Sequence, residues 1–266
     1  SLFDFPLQDA LRQALTAEAR PWGSVWTPVY ETLATDFLYP DPFNLVIFPD
    51  NHDMSRIATQ LDEDPDLVRM ALVFVATMRG IPQIFYGTEI GMAHPGTDSH
   101  GVIRSDFPGG WPGDRQDAFS SLNLDRDAAD LQGFVRRLLN WRRGATAVHD
   151  GALMQFAPLR QTYVYARYTE DELVIVAFNR SDETAVFGAE RYRELLGERS
   201  AAVDILTGDQ LDIGRALARR LSGRTFRARE GRFVAEGVRL MVVPGSEAVR
   251  PPLRWRMPSR GPGPRR

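Results

Sequence analysis

The sequence predicts an α/β region followed by an all-β region, and two patterns indicate this order. Up to about residue 143, short apolar runs alternate with patterns typical of amphipathic helices. After Gly144 the period changes to short strand-like runs separated by turn residues. The 266 residues, 43% hydrophobic and 25% charged, suffice for one large globular domain or two ordinary ones.

The first region is predicted to contain three strand–helix units. Its strands are predicted at residues 2–5, 45–48 and 81–86, where short apolar runs favour strands of a buried parallel sheet. Helices are predicted to start at Pro6, at Asp64-Pro65, where Asp is a suitable N-cap and Pro a suitable first residue, and near Asp127. The Trp and Tyr residues of 22–39 are interpreted as core rather than as a ligand-stacking surface.

The second region is predicted to be an antiparallel β-sandwich. Its strands are expected at residues 154–156, 163–168, 173–178, 184–187, 202–206, 232–235 and 238–243. The predicted division is therefore 1–148 for the α/β region, 149–247 for the sandwich and 248–266 for a tail. That tail is rich in Arg and Pro, has few apolar residues, and is expected to be disordered.

Composition argues against several classes of partner. A net charge of −3 gives no general electrostatic case for nucleic acid or an anionic membrane, and neither partner is predicted. Cysteine is absent, which excludes disulfides and thiolate metal sites and leaves localisation open between cytoplasm and periplasm. His94, His100 and His149 show no metal-ligand spacing, so neither a metal nor another cofactor is predicted.

The strand predicted at 45–48 is followed at once by four polar residues, Asp50, Asn51, His52 and Asp53. Polar residues at the carboxyl ends of parallel strands lie where α/β folds place their active sites. On these residues alone, a His-Asp pair that merely caps a helix or orders a loop is the stronger interpretation.

A glycine-rich loop at 91–121 is long enough to indicate a function, and it contains Arg104, Asp106 and Trp111. An aromatic ring beside an Arg and an Asp suits a sugar, which needs a flat face and fixed hydrogen-bond partners. The alternative, an Arg–Asp pair that orders the loop, is about equally supported.

Three segments resemble the C-terminal half of the α-amylase family of glycoside hydrolases, most closely its neopullulanase and cyclomaltodextrinase-like branch. They are residues 48–53 (FPDNHD), 79–89 (RGIPQIFYGTE) and 104–114 (RSDFPGGWPGD). The resemblance implies strands six to eight of a (β/α)₈ TIM barrel, followed by a β-sandwich called domain C.

The resemblance also implies roles for individual residues. Asp53 would be the carboxylate that stabilises the transition state, and His52 would bind a hydroxyl of the same sugar. Asn51, Arg104, Asp106 and Trp111 are the further predicted substrate contacts. The expected substrate is an α-1,4-glucan, a maltooligosaccharide or a cyclodextrin.

The family takes its nucleophilic Asp and its acid/base Glu from the ends of strands four and five, and no segment of this chain resembles either motif. The chain is therefore expected to be an inactive fragment that lacks an N-terminal barrel half. The alternatives are a non-catalytic glucan-binding or complementing module, and a truncated gene product without function.

Overall fold

A computed structural model describes residues 2–19, 21–183, 185, 187, 189–197, 199, 201–212 and 238–243. Its helices are α1 (Phe5–Thr16), α2 (Thr27–Ala34), α3 (Ile57–Gln60), α4 (Pro65–Thr77), α5 (His100–Ile103), α6 (Arg126–Arg142), α7 (Thr146–Asp150) and α8 (Arg193–Leu196). Its strands are β1 (Val46–Ile47), β2 (Ile81–Pro82), β3 (Ala152–Leu159), β4 (Thr162–Tyr168), β5 (Leu173–Asn179), β6 (Ala201–Asp204), β7 (Gln210–Asp212) and β8 (Val238–Val243). Short 3₁₀ turns occur at Asp36–Leu38, Pro42–Asn44, Thr88–Ile90 and Ala189–Tyr192.

The strands of the α/β region are shorter than the sequence predicts. β1 and β2 are parallel and two residues long, and the strand expected at 2–5 is reduced to one parallel bridge between Phe3 and Val46. That strand stops because the Asp4 carboxylate accepts a hydrogen bond from the Leu7 N–H at 3.1 Å and so caps α1. The strand expected at 81–86 pairs at its first two residues, after which the chain turns away.

Helix starts follow the capping residues closely. The Asp64 carboxylate accepts hydrogen bonds from the N–H groups of Asp66 and Leu67, and α4 begins at Pro65 as predicted. The start predicted near Asp127 is slightly misplaced: Asp125 caps α6 by accepting from the Ala128 N–H at 2.9 Å. An upstream carboxylate reaches the free N–H groups of the first turn, whereas one inside the turn cannot.

The second region forms a six-stranded sheet with the order β3-β4-β5-β8-β6-β7, antiparallel at each pairing. A sandwich of two sheets was predicted, but the described part of this region contains this one sheet. Residues 185 and 187 lie outside any strand, and 232–235 and the expected tail 248–266 lie outside the described residues. The strand β7 was not predicted.

The two faces of this sheet pack against different partners because side chains alternate along a strand. Tyr163 and Tyr165 of β4 belong to the core shared with α1 and α4, whereas Val164 and Ala166 belong to a second core with α8. Within the described chain, α8 and its preceding turn therefore cover the face where a second sheet was expected.

Buried polar contacts attach the α/β region to the sheet. Arg167 of β4 donates hydrogen bonds to the carbonyls of Met78 at 3.0 Å and Gly151 at 2.9 Å. The hydroxyls of Thr77 and Tyr165 lie 2.6 Å apart. Burial raises the pKa of Tyr165, and hydrogen bonding to Thr77 opposes that rise. These contacts fix the end of α4, which immediately precedes β2.

Candidate functional site

The turn after β1 is anchored by Asp50, whose side chain is fully buried. Its carboxylate accepts hydrogen bonds from the Ile57 N–H at 2.8 Å and from the Thr88 hydroxyl at 2.9 Å. Burial raises the pKa of Asp50 to about 6, against the lowering effect of these two hydrogen bonds. Asp50 thus joins three segments of the chain, the turn after β1, the start of α3 and the 3₁₀ turn at Thr88.

Asn51 shapes the next step of the same turn. Its side chain is buried, and Oδ1 accepts a hydrogen bond from the Asp53 N–H at 2.8 Å, as in an Asx turn. This bond directs His52 and Asp53 outward, and their side chains are 58% and 59% exposed. A direct sugar contact by Asn51 stays a prediction, because its observed bond is to the backbone.

Asp53 lies between a histidine and an arginine. The His52 Nε2 is 3.3 Å from one carboxylate oxygen of Asp53, and Arg104 Nη2 donates to the other oxygen at 2.9 Å. The Nε of Arg104 also donates to the His52 carbonyl at 2.8 Å. Arg104 therefore holds both the backbone and the side chain of the His-Asp pair. Its partner is Asp53, not Asp106 as in the loop-ordering alternative.

His100, which was not among the predicted substrate contacts, helps to place Arg104. The two residues are four positions apart, at the start and the end of α5, and the Nδ1 of His100 accepts a hydrogen bond from Arg104 Nη2 at 2.8 Å. The sequence contained a signal for this contact, since residues four apart on a helix are neighbours. The signal was missed because α5 is short and lies within residues 91–121, which were interpreted as a loop.

Beneath the pair, Arg56 packs against the aromatic residues that follow β2. Its guanidinium lies 4.1 Å from the ring centre of Phe85 and 4.8 Å from that of Tyr86. It donates to the carbonyls of Ile103 and Tyr86. Its observed hydrogen-bond acceptors are therefore backbone carbonyls rather than a carboxylate. It joins the segment around α5 to the end of β2.

The structure does not bring Asp106 and Trp111 to the His-Asp pair. Both side chains are exposed, and within the described part of the chain no hydrogen bond, ion pair or ring contact joins either of them to His52 or Asp53. The N–H of Trp111 donates to Asp114 at 3.1 Å, so the loop is ordered around a different carboxylate.

The exposed pair can hold a polyhydroxylated ligand. Asp53 offers two acceptor oxygens, His52 offers a ring nitrogen, and Arg104 offers charged N–H donors, all open to solvent. Among the described residues, the side-chain hydrogen bonds and ion pairs of Asp53 involve His52 and Arg104. The part of the chain that the structure describes contains no cluster of three side chains that could bind a metal ion. None of the helices in that part is long and apolar enough to cross a membrane.

Comparison with protein families gives two matches. The model of the α-amylase catalytic domain matches residues 2–147, and the model of the cyclo-malto-dextrinase C-terminal domain matches residues 153–226. Together they span both the α/β region and much of the six-stranded sheet.

Curated proteins resemble the chain over part of their length. A cyclomaltodextrin glucanotransferase from Geobacillus stearothermophilus is 32% identical over 184 residues, which cover 69% of this chain and 23% of that protein. A maltogenic α-amylase from Bacillus acidopullulyticus is 26% identical over 156 residues, covering 56% and 24%. The chain therefore spans about a quarter of the length of these relatives.

Solved structures support the same fold. An α-amylase from Geobacillus thermoleovorans, complexed with acarbose, matches 91% of this chain with a TM-score of 0.63 and 21% identity. AmyP in complex with maltose matches 92% with a TM-score of 0.69 and 18% identity. The matches cover 48% and 50% of those two chains. The fold is therefore that of the α-amylase family with a C-terminal antiparallel sheet domain.

Proposed function

The chain belongs to the α-amylase family of glycoside hydrolases, and we propose that it supplies the sugar-holding part of a retaining active site. The proposed substrates are α-1,4-glucans, maltooligosaccharides or cyclodextrins. The names of the relatives, a cyclomaltodextrin glucanotransferase and a maltogenic α-amylase, support this substrate class.

The observation that carries the proposal is the exposed carboxylate of Asp53, oriented by Arg104 and adjacent to His52 at the end of β1. In the proposed mechanism Asp53 accepts hydrogen bonds from two hydroxyls of the sugar at the scissile bond, and His52 bonds another. Hydroxyl contacts that strengthen as the ring flattens stabilise the oxocarbenium-like transition state and can contribute several kcal/mol.

We place Phe3, β1 and β2 as strands six, seven and eight of a (β/α)₈ barrel, and we place the barrel's end near residue 148. The parallel pairing in chain order supports this placement. The exposure of four large apolar side chains next to the paired strands also supports this placement. These side chains are 43–69% exposed and belong to Leu2, Phe3, Phe5 and Ile81. An N-terminal barrel half is the partner that would cover them.

The nucleophile and the acid/base are proposed to lie outside this chain. Retaining glycosidases use two carboxyl groups about 5–5.5 Å apart, a nucleophile and an acid/base, and no segment of this sequence resembles either motif of the family. We therefore expect the isolated chain to bind maltoheptaose without releasing reducing sugar.

The decisive test begins with the coding sequence upstream of Ser1 in the source genome. If it encodes barrel strands one to five with an Asp and a Glu at the ends of strands four and five, the extended protein should hydrolyse α-glucan. In that protein Asp53→Asn should lower kcat by about 10³-fold, as for other groups that stabilise a transition state.

Asp106→Asn is the matched control, because Asp106 is an exposed aspartate that forms no hydrogen bond or ion pair with His52 or Asp53 in the described part of the chain. An extended protein whose kcat is unchanged by Asp53→Asn would contradict the proposed role of Asp53. Equal losses in both variants would indicate a general effect of charge.

A second candidate is a non-catalytic glucan-binding or complementing module. It is favoured because no segment of this sequence resembles the family's nucleophile or acid/base motif, while the exposed side chains of His52, Asp53 and Arg104 can still bind hydroxyls. Maltoheptaose binding that persists without turnover, even in the presence of the upstream polypeptide, would support this module.

A further inference from the structure

A second pocket lies away from the His-Asp pair, between the end of α1, residues 22–28 and the turn that joins β3 to β4. Its volume is about 390 Å³, within the range of small-molecule sites. None of its lining residues is among those that form the site around Asp53.

Trp22 lines this pocket and is 84% exposed, more than any other large hydrophobic side chain in the described ranges. The sequence interpretation assigned the Trp and Tyr residues of 22–39 to the core. That is right for Trp26, which is fully buried, and wrong for Trp22. An indole with this exposure presents a flat apolar face to solvent beside a cavity, which is the arrangement a ring-shaped ligand can stack on.

The frame of the pocket is held in place before any ligand arrives. The Val25 N–H donates to the Arg160 carbonyl at 3.0 Å, and the Trp26 indole N–H donates to the Gln161 carbonyl at 3.0 Å. Trp26 in turn stacks on Tyr163 at 5.7 Å between ring centres. These contacts hold residues 25–26 and 160–161 in place, so ligand binding would not have to order them.

The two charged side chains that line the pocket have opposite signs. Glu18 and Arg160 carry opposite charges, and neither side chain has a hydrogen bond or ion pair to another residue that the structure describes. Gln161 and Thr27 add an amide and a hydroxyl. Donors and acceptors without a net charge suit a neutral polyhydroxylated ligand better than a phosphate or a cation.

Arg160 adopts a backbone conformation that favours glycine or asparagine, with φ at 51°. Arg160 and Gln161 form the two-residue turn between β3 and β4, in which a positive φ is the usual geometry. The conformation places an arginine at the tip of the turn, at the edge of the cavity lined by Trp22.

We infer that this pocket, with Trp22 as its stacking platform, is a second carbohydrate-binding site that takes a segment of α-glucan. The choice of α-glucan rests on the function proposed above; the carbohydrate class rests on the pocket itself. Holding a polymer at two points raises the local concentration of its chain at the first site.

The test is a titration of the full 266-residue chain, labelled with 5-fluorotryptophan, with maltoheptaose by ¹⁹F NMR. Single Trp→Phe variants assign the signals of Trp22 and Trp111, and Trp141 is the internal reference. We expect the Trp22 signal to shift with saturation. By calorimetry, in a chain that also carries Asp53→Asn, Trp22→Ala should weaken maltoheptaose binding at least tenfold. Trp22→Phe, which keeps an aromatic face, should retain most of the affinity.

The two proposals fail in different ways in this experiment. If the Trp22 signal does not move while maltoheptaose affinity depends on His52 and Asp53, the pocket proposal is overturned and the proposed function stands. If Trp22 shifts and the affinity is unchanged in His52→Ala and Asp53→Asn, the pocket stands and the proposed site fails. A Trp22 shift with xylohexaose but not maltoheptaose would overturn the choice of α-glucan.

Discussion

Two of the arginine–carboxylate clusters in the described part of the chain have a similar composition and opposite environments. In the buried cluster, Arg79 donates to Asp36 through two nitrogens, at 2.8 and 2.5 Å, and to Asp4 at 2.7 Å. Its side chain is 1% exposed. In the exposed cluster, Arg104 holds Asp53 at 2.9 Å, and the two side chains are 41% and 59% exposed.

Because of this difference in exposure, the buried contact of Arg79 supports the fold, whereas a ligand can compete for the exposed contact of Arg104. Burial alone would lower the pKa of Arg79, but the hydrogen bonds to Asp36 and Asp4 outweigh it and raise the pKa. The side chains of Arg79 and Asp4 are each 1% exposed, so water cannot replace their contact, whereas the side chain of Asp36 is 20% exposed. The Arg104–Asp53 pair is worth about 0–1 kcal/mol in water, so sugar hydroxyls can compete for the carboxylate.

The largest effect is expected from Arg79→Ala. Removing the guanidinium leaves the buried carboxylate of Asp4 and the partly buried one of Asp36 without their partner, which costs about 3–5 kcal/mol of unfolding free energy. Urea denaturation followed by circular dichroism measures this loss. Arg12→Ala is the control, because Arg12 pairs with Asp9 on the surface and its loss should cost at most about 0.5 kcal/mol. Similar costs in the two variants would contradict the comparison.

An intermediate effect is expected from pH, through Asp50. Its pKa is raised to about 6 in the folded chain from an ordinary value near 3.8, so the folded state favours the protonated form. The stabilisation from that proton is fully present below about pH 4 and is lost as the pH rises to about 6. The total is about 3 kcal/mol as an order of magnitude.

Asp50→Asn keeps the shape of this side chain and removes its charge. The unfolding free energy of the variant, minus that of the unsubstituted chain, should therefore increase between pH 4 and 6 and stay level above pH 7. Urea denaturation at half-unit pH steps measures the difference. A difference that is constant over this interval would show that Asp50 ionises normally when buried.

The smallest effect on stability is expected from Arg104→Ala. The unfolding free energy should change by less than about 1 kcal/mol because both partners remain hydrated. Maltoheptaose affinity, measured by calorimetry, should fall by about tenfold, since a charge-assisted donor and the orientation of Asp53 are lost. Arg104→Lys should recover only part of it, because a lysine cannot bond the His52 carbonyl and the Asp53 carboxylate in one plane. Unchanged affinity in both variants would remove Arg104 from the site.

Sequence reasoning was accurate where structure depends on near neighbours. The start of α4 at Asp64-Pro65 was predicted because a carboxylate and the N–H groups it caps are two or three residues apart. The strand β8 was predicted at its observed limits, Val238–Val243, and the order of the α/β and β regions was right. The start of α6 was misplaced because Asp125 and Asp127 both lie where a capping residue could be. The exposure of Trp22 was missed because the local sequence does not distinguish it from the buried Trp26.

The sequence by itself determined the family and the location of the polar cluster at the end of β1. It did not determine which of the four polar residues would face solvent. The tertiary structure decided this. The buried Asp50 carboxylate accepts a hydrogen bond from the Thr88 hydroxyl, and the Asn51 side chain accepts one from the Asp53 N–H. The contact of Arg104 with Asp53 joins residues 51 positions apart. Capping and side-chain periodicity act within a few residues, whereas such a contact exists only once packing has brought two distant segments together.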